Sequence, residues 1–206
     1  MGDHLRFSGR GFDAQRLELK RIIGASPLLM EVLAGLREEA LPDSFVVSGA
    51  IYNLVWNRLT GRPDLTGIND IDVVYFDDGD LSYEAEDAVI QRLARRFADL
   101  PLPVQVRNQA RVHLWFSQKF GIPFTPLASS AEMLGRYASK THAVGVQLET
   151  DDSFTIITPF GLDDLFSFRM VPNRVLFNKP AHDAKSARAK AIWPELIIVP
   201  WEDGEA

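Results

Sequence analysis

The segment Asn69-Asp70-Ile71-Asp72-Val73-Val74-Tyr75-Phe76 constrains this chain more than any other. From Ile71 onward it reads as a strongly apolar strand, broken by Asp77-Asp78-Gly79-Asp80. Residues two apart on a strand share a face, so Asp70 and Asp72 sit roughly 6.6 Å apart on one side. Ile71, Val73 and Tyr75 point to the other side. Two ionised carboxylates against an apolar background are costly unless their charge is neutralised. A divalent cation with oxygen ligands meets that need, and Mg²⁺ typically takes one or two carboxylates plus substrate phosphates. Asp70 and Asp72 are therefore the candidate metal ligands, for Mg²⁺ or Mn²⁺.

The residues ahead of this strand add a second half. Phe45-Val46-Val47 is a short strand, Ser48-Gly49-Ala50 a junction, and Ile51, Leu54, Val55 and Leu59 recur at helical spacing. A small residue at such a junction lets a ligand approach the backbone. The helix N-terminus offers unpaired N–H groups and the positive end of a dipole to phosphate. Ser48 can cap that helix or donate to phosphate. Asn57 on the helix and Asn69 beside the carboxylates are further candidates for lining a nucleotide site, whereas Trp56 reads as core.

Elsewhere the pattern is α/β early and a hairpin late. Asp13 can cap a helix carrying Leu17, Leu19, Ile22 and Ile23, ended by Gly24. Ser26-Pro27 opens a second helix. Ser82 and Glu84 open one reaching about Phe97, and Val104-Gln105-Val106 is a short strand. Asn108 can cap a helix through Phe120, closed by Gly121, but a strand over Arg111–Phe116 fits almost as well. Ser129 or Ser130 caps a short helix. His142–Leu148 and Phe154–Thr158 read as strands, Ala181–Ile192 as a helix, and Trp201–Ala206 as a loose acidic tail. The expected fold is α+β, a mixed β-sheet flanked by helices. It is read as a single domain: N-terminal helices over 1–44, the metal and phosphate core over 45–120, and a C-terminal part over 121–206.

Composition narrows the function. Twenty-two basic residues against 28 acidic ones give a net charge of −6, the opposite of a protein that coats nucleic acid. DNA is accordingly not an expected partner. Cysteine is absent, which removes thiolate catalysis and zinc-thiolate sites. No run of 18 apolar residues exists and the start carries no apolar signal core, so a soluble cytoplasmic protein is expected.

The chain resembles a bacterial family of nucleotidyltransferase-like proteins within the DNA polymerase β-like nucleotidyltransferase superfamily. The resemblance rests on Gly49-Ala50-Ile51, Val55-Trp56-Asn57, Asn69 through Asp77, Asn108 through Trp115, Ala143 through Val146 and Pro159 through Leu165. Pro172-Asn173 and Trp193-Pro194 extend it to most of the chain. It implies transfer of a nucleoside monophosphate from a nucleoside triphosphate to an acceptor, which could be a small molecule, a protein or RNA. It also implies a third carboxylate from a neighbouring strand, at the place where this chain has Gln105. An amide can ligate a metal through oxygen but cannot act as a base, and Glu149 is the substitute considered.

Near that strand, Arg111 can contact phosphate or developing negative charge, His113 can serve an acceptor or act as a base, and Asn108 is a further candidate site residue. Equally, Arg111 can pair with a buried carboxylate and Asn108 can cap a helix. Lys179, Lys185, Arg188 and Lys190 form a basic cluster that is either a solvated face or a means of steering a triphosphate or an RNA backbone. Two alternatives to an enzyme stay open. Gln105 would suit a non-catalytic nucleotide- or metal-binding protein of the same fold, and the acidic balance permits a protein-interaction module.

Overall fold

The structure is a computed structural model describing residues 3–202. Helix α1 (Phe12–Gly24) buries Leu19, Ile22 and Ile23. Leu17 does not join them and is 70% exposed. It lies two residues, about 200° of helix rotation, from Leu19. The helix starts at Phe12, after Gly11, without a side-chain cap, so Asp13 lies inside the first turn. Helix α2 (Pro27–Glu38) opens as expected: the Ser26 hydroxyl accepts from the Leu29 amide at 3.4 Å, with Pro27 in the first turn.

The sheet elements then alternate with helices. In order come β1 (Phe45–Val47), α3 (Gly49–Thr60), β2 (Ile71–Tyr75), α4 (Tyr83–Arg96) and β3 (Val104–Asn108). They are followed by α5 (Phe116–Phe120), α6 (Ser130–Leu134), β4 (Gly145–Leu148), β5 (Phe154–Ile157) and α7 (Asp163–Phe166). The last are β6 (Arg169–Met170), α8 (Lys179–Ile192) and β7 (Ile197–Ile198). Five strands form one sheet in the order β3-β2-β1-β4-β5. β3 runs parallel to β2, and the other neighbours are antiparallel. A parallel pair needs a crossover, which α4 supplies, capped by Ser82 on the Ala85 amide at 3.2 Å. The mixed α+β sheet is thus the one the sequence implies. Strands β6 and β7 pair separately, in parallel.

Alternation along the strands divides the sheet into two faces. Val46, Ile71, Val73, Tyr75, Val106 and Val146 pack into the main core with the buried stripes of α1, α2, α3 and Leu93 of α4. Trp56 belongs there, as read. Its indole N–H donates to the Leu165 carbonyl at 3.0 Å, and its ring meets Trp193 edge-on at 5.2 Å. Phe45, Val47 and Val74 lie on the opposite face with Leu134 and Ala143. That second face also carries Asp72, which is paired in register with Val47 on one side and Gln105 on the other.

Three local expectations change. Residues Gln109–Leu114 form a 3-10 turn and only Phe116–Phe120 is α-helical, so the stretch after Asn108 is neither one helix nor a strand. The Asn108 side chain accepts from the Ala110 amide at 3.1 Å, and Trp115 (φ −129°) interrupts the helix. Gly121, at φ +68°, ends α5 in the left-handed conformation that favours glycine. His142 lies in a turn ahead of β4, not in the strand. Of the tail expected to be loose, Trp201 accepts from Arg174 Nε at 2.7 Å, and residues 203–206 lie outside the described residues. No described helix is long and apolar enough to cross a membrane.

Two buried histidines give the fold a pH dependence. His142 stacks on Tyr52 at 4.4 Å, and burial, followed by the charge of Lys185, pushes its pKa well below the ordinary value. Burial also lowers that of His182, whose Nδ1 lies 2.7 Å from the Ser139 hydroxyl. Both groups bind protons more readily unfolded than folded. Their contribution is intact above about pH 6.5 and is lost as pH falls below it. Denaturant midpoints are expected to drop between pH 7.5 and pH 5.5, with a shallower slope in His142→Gln. An equal slope in that variant would exclude His142 as a source.

Candidate active site

The site begins at the β1–α3 junction. Ser48 adopts φ +57°, ψ −118°, a conformation a residue with a side chain rarely holds. Its amide donates to the Val144 carbonyl at 3.0 Å, and its carbonyl accepts from Ile51 and Tyr52 to start α3. Its side chain does not cap the helix. Gly49 needs no unusual backbone angle. A Cβ there would meet only Asn53 Nδ2, at 3.9 Å. Its value is the missing side chain, which keeps the floor of an adjacent cavity open.

That cavity, about 370 Å³, is lined by Ser48, Gly49, Asn69, Asp70 and Asp72 on one side. Lys185 and Arg188 of α8 line the other. Burial raises the pKa of Asp72, and the charge of Asp70 raises it further. Lys185 and Arg107 act in the opposite sense. Burial lowers the pKa of Lys185 in turn, against the pull of Asp72. Among the described residues no Lys, Arg or His nitrogen lies within 4.0 Å of either carboxylate. Nor do three His, Asp or Glu side chains gather as a self-sufficient metal site. The donor set is two carboxylates on one side of a strand, with acceptor oxygens left free. That fits a cation which completes its shell from water and phosphate.

Gln105 lies in register with Asp72 across β2–β3, and its amide donates to Asp70 Oδ2 at 2.6 Å. Asn57 does not reach the cavity. It is fully buried, donating to the Asp64 and Thr66 carbonyls at 2.8 and 2.9 Å and accepting from the Trp193 indole at 3.1 Å. It holds the 61–69 loop on the core. Arg111 also points elsewhere, pairing with buried Glu86 and donating to the Leu81 carbonyl at 3.0 Å. Asn108 pins Asp77 through two hydrogen bonds. His113 lines neither this cavity nor the one beyond Asp72. Glu149 lies past the far end of β4, where its carbonyl accepts from Arg37. The sequence reading did not single out Tyr52, Asn53, Ile192 or Trp193, all in the cavity wall. The available signal was the spacing of Lys185, Arg188, Ala189 and Ile192, which share one face of α8.

Residues 34–198 match the model of a family described as nucleotidyltransferase. The chain belongs to that nucleotidyltransferase family. An NMR structure described as revealing a CCA-adding enzyme head domain is 25% identical with a TM-score of 0.71. That match covers 89% of this chain and 95% of the other. The fold also recurs in the Thermotoga maritima CCA-adding enzyme complexed with tRNA, at 15% identity and a TM-score of 0.57. There the match covers 89% of this chain but 42% of the enzyme, so this chain spans less than half of that enzyme's length. A comparison with curated proteins returned no match.

Asn57 and Arg111 hold the fold together without entering the cavity. Removing Asn57 leaves two carbonyls and an indole N–H without partners, each costing about 1–3 kcal/mol. Removing Arg111 leaves Glu86 buried and uncompensated, at about 3–5 kcal/mol. Asn57→Ala and Arg111→Ala are therefore expected to lower unfolding free energy by about 3 kcal/mol or more in denaturant titrations. Variants as stable as the parent would remove these two structural assignments.

Proposed function

We propose that this protein is a metal-dependent nucleotidyltransferase, moving a nucleoside monophosphate from a nucleoside triphosphate to a hydroxyl acceptor. The observation that carries the reading is one cavity with the Asp70–Asp72 pair and the Ser48-Gly49 turn facing Lys185 and Arg188. Asp70 and Asp72 would hold Mg²⁺ or Mn²⁺. Such an ion neutralises charge shared between carboxylates and phosphates. The first amides of α3 and the Ser48 hydroxyl donate to phosphate oxygens. Lys185 and Arg188 balance the remaining negative charge from the opposite wall. The cavity walls orient the triphosphate, and orientation together with charge neutralisation does most of the work in phosphoryl-type transfer. An acceptor oxygen bonds to the α-phosphorus. The bond from that phosphorus to pyrophosphate breaks, pyrophosphate leaves with the electron pair, and the hydroxyl proton passes to solvent.

A second reading, nucleotide binding without turnover, draws on Gln105. Its amide stands opposite Asp72 and adds no charge to the site.

Labelled nucleoside triphosphates, incubated with Mg²⁺ or Mn²⁺ and pools of small metabolites, protein or short RNA, separate the readings. Metal-dependent transfer is expected, reduced at least about a hundredfold in Asp72→Asn. Triphosphate binding without turnover, with turnover gained in Gln105→Asp, would replace the first reading by the second. Absence of both would sink both. Stability offers an independent check. Because the folded-state pKa of Asp72 is raised, its ionised form opposes folding at neutral pH. Asp72→Asn is expected to raise the thermal midpoint of the metal-free protein. Mg²⁺ should raise the midpoint of the parent and not that of the variant.

A further inference from the structure

We propose that a second cavity, on the other side of Asp72, receives the acceptor, and that the acceptor is a small aromatic hydroxyl compound with one anionic group. The proposal rests on the transferase reading above. The second cavity also measures about 370 Å³, and Ser48, Asp72 and Lys185 belong to the walls of both. A displacement at phosphorus needs the attacking oxygen to approach opposite the leaving group. Two cavities that meet at one carboxylate allow that approach, whereas a single pocket ending there would not.

The wall of the second cavity specifies the ligand chemistry. Trp115, Phe116 and Phe120 form a contiguous aromatic cluster, with ring separations of 6.0 Å for Trp115–Phe116 and 4.7 Å for Phe116–Phe120. Trp115 is 36% exposed and Phe120 51% exposed. Clustered exposed aromatics beside a cavity suit a planar apolar ligand. Arg107, exposed on β3, has only the Val106 carbonyl as a bond partner and no carboxylate within 4.0 Å among the described residues. Arg136 is already committed to Glu132 and to the face of the Phe124 ring. Arg107 is thus the guanidinium left to take an anionic group. His142, 1% exposed, stands in the same wall, and its Nε2 has no hydrogen-bond partner. It adds an unpaired polar atom to a wall that also carries Gln105, Gln109 and Asn178 beside the aromatic rings. A long nucleic acid would need a track of cations along its phosphates. Arg107, Lys185, the Glu132-paired Arg136 and Lys119 over the Trp115 and Phe120 rings gather around one pocket rather than along a track, on a chain of net charge −6.

The probe is 1-anilinonaphthalene-8-sulfonate, a fluorescent aromatic anion, titrated into the full chain. Saturable binding is expected, weakened at least about tenfold in Trp115→Ala, Phe120→Ala and Arg107→Gln. Circular dichroism confirms that each variant is folded. Calorimetry with a non-hydrolysable triphosphate and Mg²⁺ is expected to give an affinity unchanged within about threefold in Trp115→Ala and Phe120→Ala and not reduced by the bound probe. Probe affinity unchanged in all three variants would overturn the proposal, as would displacement of the probe by triphosphate. Short single-stranded RNA that binds the parent and is lost in the same variants, with the probe indifferent to them, would transfer the cavity to a nucleic-acid acceptor. If the probe behaves as expected but triphosphate does not bind the parent, the transferase reading fails. The acceptor role fails with it, leaving an aromatic-anion site.

Discussion

Asp72 is half-buried on β2 with Asp70 beside it, and both burial and repulsion oppose its charge. The surrounding sheet maintains that arrangement. Val47 and Gln105 bracket Asp72 in register, while Val74 fixes the same face against Phe45, Leu134 and Ala143. Lys185 is half-buried too, so its charge is weakened by desolvation and sustained by the carboxylates opposite. Ser48 holds an unfavourable backbone angle at the same spot. Repulsion, desolvation and backbone strain thus converge on a few residues, which the larger core on the other face of the sheet can support. Such concentration of local cost is what the proposed function would require of its site.

Gln105 alters the charge balance of this site. A carboxylate opposite Asp72 would add a third negative charge to a pair that already repels. The amide instead donates to Asp70, fixing one oxygen of that residue at no electrostatic cost. With two carboxylates rather than three, less positive charge is needed on the protein side of a bound nucleotide. Under the proposed function, neutralisation would then fall more heavily on the phosphate side, on the wall lined by Lys185 and Arg188.

What was legible in the sequence follows the range of each interaction. Asp70 and Asp72 were readable because a shared face is a local property of residues two apart in an extended segment. The Ser48-Gly49 junction was readable for the same reason, although the strained angle falls on Ser48 while Gly49 supplies the space. Asn57 and Arg111 were not, since a polar residue on a helix or turn looks alike whether it faces ligand or core. Their partners, Trp193 and Glu86, are brought to them only by the tertiary fold. Lys185 and Arg188 were visible as charge, but sequence could not choose between a solvated face and a steering role, because only the tertiary fold brings α8 to the cavity. The segment after Asn108 defeated periodicity. A 3-10 turn and a five-residue helix offer no repeat long enough to register.

The wall between the two cavities explains why they can remain distinct while meeting at one carboxylate. Tyr52 lines the first cavity and His142 the second, and their rings stack with an interplanar angle of 14°. Burial keeps both neutral by raising the pKa of the tyrosine and lowering that of the histidine. A neutral, close-packed aromatic pair leaves no room for water and adds no charge to compete with Asp72. Polar contact between the cavities is confined to the edge of that stack, where Ser48, Asp72 and Lys185 face both. Under the proposed function, a ligand in either cavity would meet the same few atoms, with the stack standing between the rest of the two ligands.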